Sequence, residues 1–213
     1  MLKKPGSAYK NVVFDMGMVL ADYDGRAAIR QFTDDPAVIR EIWLTVFVSY
    51  DWAYLDMGAL SEEEFLAEVL PRLSSDEVRE IARKAFLSYD QYNLHPKRGM
   101  DKVMEDLVSR GQKIYVLSNA GARLRISWTR FMPRPDLISG ILFSAEELCL
   151  KPERAIYRRF FEKFRLRPEE CVFIDDLRRN VDAAEREGMD GWCFCGGDVG
   201  ELREILGLSG KME

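Results

Sequence analysis

One order of residues recurs along this chain and restricts its fold more than anything else: a short apolar run of strand length, a polar residue where the run stops, then a helical pattern. Val12, Val13 and Phe14 form the first run, which stops on Asp15 and is followed by Met16 and Gly17. Lys113 to Leu117 is a second run and leads directly into Ser118 and Asn119. Gly140 to Phe143 is a third, followed by a polar segment that ends at Lys151 and Pro152. Cys171 to Ile174 ends on Asp175 and Asp176, and Gly191 to Cys195 is a fifth strand-like run. Helical faces lie between them. Met100, Val103, Met104, Leu107 and Val108 form one that Gly111 ends, Ile156, Phe160, Phe161 and Phe164 another, and a third runs through Val181 and Ala184 to Gly188. Strand-to-helix alternation of this kind predicts an α/β fold, a Rossmann-like three-layer core around a parallel sheet with right-handed crossovers.

From Gly25 to about Leu94 the alternation stops and helical periodicity takes over. Ile39, Ile42, Trp43, Val46 and Phe47 share one stripe, and Phe65, Leu66, Val69 and Leu70 share another. Ser61 with Glu64, and Ser74 with Glu77, fit the capping box that opens a helix, and Val78, Ile81, Ala82, Ala85 and Phe86 mark a further amphipathic helix. The segment therefore reads as an inserted α-helical cap over residues 23–94, with 1–22 and 95–213 forming the core. Tyr50, Trp52, Tyr54, Tyr89 and Tyr92 fit either the cap's own core or the wall of a pocket. His95, which precedes Pro96, is expected in a loop at the segment boundary.

A chain of 213 residues with 47% apolar and 31% charged residues can bury a sizeable core as one α/β domain with an insertion, or as two small domains. Its formal charge of -5 gives no general attraction to nucleic acid or to an anionic membrane. No apolar run approaches the roughly 20 residues that span a bilayer, and the opening MLKKPGSAYK lacks the apolar core of a signal peptide. A cytoplasmic protein is expected. Cys149, Cys171, Cys193 and Cys195 are read as reduced small hydrophobes, the last three in or beside apolar runs. Cys193 and Cys195 lack the partners a zinc site requires.

Ligands bind parallel sheets in the crevice beyond the carboxyl ends of the strands. The predicted topology brings Asp15, Ser118, Asn119, Asp175 and Asp176 to that edge, with Lys151 on a loop beside it. Singly, each has a plain structural explanation as turn residue, solvated charge or helix cap. Together they describe a site. Carboxylates this close do not all stay ionised without a cation, and Mg2+, a hard ion that takes oxygen ligands together with substrate phosphate, suits them. Ser118 and Lys151 suit phosphoryl oxygens, and Asp15 suits a nucleophile that forms an aspartyl-phosphate.

In that order the strings VVFDMGMVL, VLSNA, the KP of CLKPERAIY, and VFIDDLRRNVDAAEREG resemble the four motifs of the haloacid dehalogenase superfamily of phosphohydrolases. The likeness covers residues 9 to 22 and 95 to 206, and the insertion resembles the family's type-C1 cap. The nearest subgroup by these strings is the one containing α-D-glucose-1-phosphate phosphatase and the phosphatase domain of soluble epoxide hydrolase. The resemblance implies Asp15 as nucleophile, Ser118 and Asn119 as phosphate-binding residues, and Lys151 as the cation that neutralises nucleophile and phosphate. It implies magnesium held by Asp15, the backbone carbonyl of Gly17 and Asp176, with Asp175 acting close by through water and Asn180 orienting Asp176.

The departure is Gly17, where many phosphatases of this family carry a second aspartate as general acid and base. A water near the metal, or Asp22 or Asp24, is the expected substitute. The expected substrate is a small phosphorylated metabolite, a sugar phosphate or a nucleotide, with neither nucleic acid nor membrane as partner. Arg123 and Arg125 are expected to be solvated helix residues, or else to meet a second anionic group. Alternatives are a 2-haloacid dehalogenase, since those enzymes also lack the second aspartate, and a non-catalytic phosphate-binding regulatory protein.

Overall fold

The computed structural model describes residues 2–208. From the N-terminus, β1 (Asn11–Phe14) and a short β2 (Ala21–Tyr23) precede helices α1 (Pro36–Ile42), α2 (Tyr50–Met57), α3 (Glu62–Val69) and α4 (Asp76–Tyr92), and a short β3 (Leu94–Pro96) follows them. The remainder alternates: α5 (Met100–Ser109), β4 (Lys113–Ser118), α6 (Ala122–Ser127), β5 (Ile138–Phe143), α7 (Arg154–Phe164), β6 (Cys171–Asp175), α8 (Arg178–Arg186), β7 (Asp190–Cys193) and α9 (Val199–Ile205). Five strands form one sheet in the order β5-β4-β1-β6-β7, every neighbouring pair parallel. The expected α/β core is therefore present.

The central strand shows how sequence sets the layers. Side chains alternate across a strand, so Val12 and Phe14 face one side of the sheet and Val13 the other. Val12 and Phe14 join Ile114, Val116, Val172 and Ile174 in a core that includes Met100, Val103, Met104 and Leu107 of α5. Val13 joins Leu117, Leu142 and Phe173 against Ile156, Tyr157 and Phe160 of α7 and Ala183 and Ala184 of α8. Burial on both faces is what continuous apolar runs in a parallel sheet encode.

The four helices α1 to α4 are inserted between β2 and β3, which pair antiparallel as a two-stranded ribbon outside the main sheet. His95 lies in this ribbon opposite Asp22, not in a loop, because the extended backbone that a following proline imposes suits a strand equally well. The capping box at Ser61 and Glu64 is present. At α4 the cap is Ser75, whose side chain accepts from the Val78 amide; Ser74 instead bonds the Glu41 carboxylate through its amide and hydroxyl. Two adjacent serines fit the same pattern, and a tertiary partner on α1 decided between them.

Trp52 centres the insertion's core, packed edge-on against Phe65, Phe86 and Tyr89. All four cysteines are free; Cys149, Cys171 and Cys193 are buried, whereas Cys195 is exposed because β7 ends at Cys193. Among the described residues, no helix is long and apolar enough to cross a membrane.

Phe160 is fully buried between α7 and the sheet, in edge contact with Tyr115, Phe161 and Phe164. Phe160→Ala is expected to lower folding stability by about 3–5 kcal/mol, read as a shifted midpoint in urea unfolding with the slope unchanged.

Candidate active site

Three adjacent strands, β4, β1 and β6, end at the same edge, and their register puts their last residues side by side. Phe14 is level with Val116 and Ile174, and the Asp15 amide continues the ladder onto the Ile174 carbonyl at 2.8 Å. The carboxylates of Asp15 and Asp175 therefore emerge next to each other. Lys151 reaches between them, its Nζ 2.8 Å from Asp15 Oδ1 and 2.7 Å from Asp175 Oδ2, with all three side chains nearly or wholly removed from solvent.

Each member is held from behind. The Met16 amide donates to Asp15 Oδ1 at 2.7 Å. Asp175 accepts from the Leu177 amide at 2.9 Å, and Asn180 Nδ2, in the first turn of α8, donates to both its oxygens at 3.0 and 3.1 Å. Asn119 forms a reciprocal pair with the main chain of Lys151: its Oδ1 accepts from the Lys151 amide at 2.7 Å and its Nδ2 donates to the Lys151 carbonyl at 3.0 Å. Its side chain is committed to placing the lysine loop. Ser118 is buried at the end of β4, and Ser118, Asn119, Gly17 and Asn180 line the same cleft as Asp15 and Lys151. Asn180 thus serves Asp175, where the sequence suggested Asp176.

The electrostatics favour a cation. Burial pushes the Asp15 carboxyl up to about 6; Lys151 pulls it down, while Asp175 pushes it further up. Burial works to lower the Lys151 ammonium, but Asp15 and Asp175 outweigh it and the net shift is upward. Asp176, half-buried, is raised by burial and by Asp175. One carboxylate oxygen from each of Asp15, Asp175 and Asp176 falls within a 4.8 Å group. Lys151 offsets only one of the three negative charges. Asn180 Oδ1, on a residue that lines the same cleft, is also buried without a hydrogen-bond partner among the described residues. An all-oxygen donor set fits Mg2+.

The opposite wall comes from the insertion and the ribbon: Tyr23, Trp52, Asp56, Tyr89 and Leu94. Two of the aromatic residues considered as pocket walls, Trp52 and Tyr89, are there, whereas Tyr50 and Tyr54 are exposed. Neither suggested substitute for the missing aspartate reaches the cleft. Asp22 pairs with Lys97 at 2.6 Å and Asp24 with Arg30 at 2.6 Å, both exposed. Tyr23, between them, is the ribbon residue that faces the site, as strand alternation requires. Arg123 pairs with Glu62 and donates to the Leu87 carbonyl at 3.1 Å, and Arg125 pairs with Glu146 at 3.1 Å.

Asp56 is the residue the sequence did not single out. Burial pushes its carboxyl up to about 7, the charge of Asp15 adding to the rise while hydrogen bonds from the Gly121 amide and the Trp52 indole oppose it. The available signal was helical spacing: Trp52 and Asp56 are four apart on one face of α2, just before the helix-ending Gly58.

A family model described as haloacid dehalogenase-like hydrolase matches residues 9–188. The chain belongs to this family. It is similar to a sesquiterpene phosphatase of Aspergillus oryzae, 25% identical with 94% of this chain and 98% of the relative covered. It is also similar to a D-ribitol-5-phosphate phosphatase of Bacteroides thetaiotaomicron, 23% identical with 85% and 89% covered. The fold is shared with a predicted hydrolase of the same family from Porphyromonas gingivalis (TM-score 0.71, 24% identity, covering 96% of this chain and 100% of that one). It is shared too with a family enzyme from Bacteroides thetaiotaomicron in complex with magnesium and inorganic phosphate (TM-score 0.68, 21% identity, 91% and 98% covered). L-2-haloacid dehalogenase from Xanthobacter autotrophicus has this fold as well (TM-score 0.63, 19% identity, 96% and 84% covered).

A raised carboxyl costs stability once it ionises. Asp56 loses its proton near 3.8 when unfolded and near 7 when folded, so stability falls as pH rises through that interval and levels off above it. Asp56→Asn should therefore melt near the wild-type temperature at about pH 4 and several °C above it at about pH 8, measured by thermal unfolding at both pH values.

Proposed function

We propose that this protein is a magnesium-dependent phosphohydrolase that removes phosphate from a small phosphomonoester through an aspartyl-phosphate on Asp15. The observation that carries this reading is the lysine clamp: Lys151 Nζ holds Asp15 Oδ1 at 2.8 Å where Asp15 meets the cleft. The ammonium keeps a buried carboxylate charged and fixes its direction, which is what a nucleophile at this edge requires. Attack of Asp15 on phosphorus breaks the ester P–O bond and transfers the phosphoryl group, and attack by water then frees phosphate and returns the carboxylate.

Ser118 and Lys151 bind the phosphoryl oxygens in this scheme, and Asn119 fixes the lysine loop and faces the phosphate site. Asp15, the Gly17 carbonyl, Asp176 and Asp175, the last directly or through water, would hold the magnesium ion. A bound magnesium ion supplies positive charge against the phosphoryl oxygens. The sheet core, residues 1–22 and 95–213, supplies this chemistry, and residues 23–94 act as a type-C1 cap that selects the substrate. Membership of the glucose-1-phosphate phosphatase and epoxide hydrolase subgroup accords with a sugar phosphate as substrate. The phosphatase names of both curated relatives support the reaction class. The acid pair Asp175 and Asp176 weighs against the dehalogenase alternative, whose chemistry needs no metal. A cytoplasmic location suits the free thiols.

The test is phosphate release from a panel of sugar phosphates, nucleotides and other phosphomonoesters. Turnover is expected with Mg2+, loss on adding EDTA and return on adding excess Mg2+. Asp15→Asn is expected to fall by about 10³-fold or more while still folded. Binding of Mg2+ and a phosphate analogue with no turnover on any ester would instead favour a regulatory binding protein.

A further inference from the structure

Gly17 leaves the proposed reaction without a proton donor for the departing alcohol, and the donor must come from elsewhere in the cleft. Most groups lining it are excluded by chemistry or by commitment. Lys151 is bound to two carboxylates, Asp15 is the nucleophile, and Leu94, Leu124 and Leu177 are apolar. Tyr23 and Tyr89 are phenols, weak acids to begin with, and both are held above the ordinary tyrosine value. Among the described cleft-lining residues, Asp56 is the carboxyl that no cation pairs with.

The structure also builds a mount for Asp56. Its carboxyl faces the core loop that follows the phosphate-binding strand, with Oδ1 only 3.7 Å from where a Cβ on Gly121 would stand. Its main-chain carbonyl accepts from the Ser144 hydroxyl, and that hydroxyl in turn accepts from the Ala120 amide at 2.8 Å. Gly58 ends α2 with φ +75°, and a Cβ there would lie 2.5 Å from the Ala145 carbonyl oxygen, so the helix end is seated directly on the core. One helix end of the insertion is thus pinned to the two core loops that flank the phosphate site. An unpaired surface carboxylate would need no such support.

Resting on the phosphohydrolase reading, we infer that Asp56 is the general acid and base of this enzyme, supplied by the helical cap in place of the aspartate that Gly17 lacks. When Asp15 attacks phosphorus, the P–O bond to the alcohol breaks and its electron pair goes to the leaving oxygen, which takes the proton from the Asp56 carboxyl. The resulting Asp56 carboxylate then takes a proton from the water that attacks the aspartyl-phosphate. Breaking the bond between phosphorus and Asp15 restores that carboxylate, and the Asp56 proton is back in place for the next cycle. Asp15, Tyr23, Tyr89, Trp52 and the Gly121 amide surround Asp56 and set its proton affinity.

The measurement is leaving-group dependence in a single turnover, with wild type and Asp15→Asn as controls. In Asp56→Asn, release of p-nitrophenol from p-nitrophenyl phosphate, whose leaving group needs no proton, should stay within about five-fold of wild type in the first turnover. Cleavage of the best alkyl phosphate of the panel should fall by about 10²- to 10³-fold. Steady-state turnover of p-nitrophenyl phosphate should then slow as phosphate accumulates on Asp15, seen in acid-quenched protein. Gly17→Asp in the Asp56→Asn background is the second variant. A Cβ at Gly17 meets nothing within 4 Å among the described residues, so a side chain can start there, and the aspartate should restore at least about ten-fold of the lost alkyl phosphate activity. Equal loss on both esters in the first turnover, or unchanged alkyl phosphate turnover, would overturn the assignment. Absence of any turnover in wild type, or full turnover in Asp15→Asn, would instead sink the phosphohydrolase reading itself.

Discussion

The Lys151 ammonium, held between Asp15 and Asp175 at the end of the central strands, is the interaction on which the rest of the site depends. Three buried charged groups are stable together only because each has an opposite partner within hydrogen-bond distance, and removing one leaves an uncompensated charge in a low-dielectric place. The surrounding structure is arranged to avoid that. β1 and β6 deliver the carboxylates in register, Asn119 grips both main-chain groups of Lys151, and Asn180 and the Leu177 amide also donate to Asp175. Once Asp176 is added, the three carboxylates outnumber the Lys151 ammonium by two charges, and that excess makes the same place a cation site.

Much of this was legible in the sequence because parallel strands end where their apolar runs end. Val12 to Phe14, the run to Leu117 and the run to Ile174 are buried on both faces, so the first polar residue after each had to stand at the sheet edge. The residues read as a site, Asp15, Ser118, Asn119, Lys151, Asp175 and Asp176, are brought together there. What was not legible depends on contacts between segments distant in sequence. Whether Ser74 or Ser75 caps α4 depends on Glu41, and whether Asp22 or Tyr23 faces the cleft depends on how the ribbon sits on the core. Asp56 belongs to a short helix, YDWAYLDM, whose own sequence has no marked apolar face to say which side meets the core. Its meaning comes from the loops at Ala120 and Ser144, more than 60 residues away.

The insertion is tied to the core at several independent points. The β2–β3 ribbon is the covalent connection, Arg123 of α6 reaches Glu62 of α3 and the Leu87 carbonyl of α4, and Ser144 joins the end of α2 to the loop after β4. The last two contacts are hydrogen bonds and an ion pair made partly at the surface, each worth little by itself. Apolar residues of the insertion and of the sheet core also belong to one continuous cluster, which adds to these contacts.

Gly17 leaves open space beside the nucleophile, while Asp56, which lines the same cleft, is carried by the insertion. A second aspartate on the nucleophile loop would stand ready whether or not insertion and core had met. Asp56 is present only when they have. On the Asp56 assignment, the acid is held beside the nucleophile only through the contacts that seat α2 on the loops at Ala120 and Ser144. The set of groups in such an enzyme would be shared between core and insertion, so a change in how α2 docks would withdraw the acid while leaving the nucleophile in place.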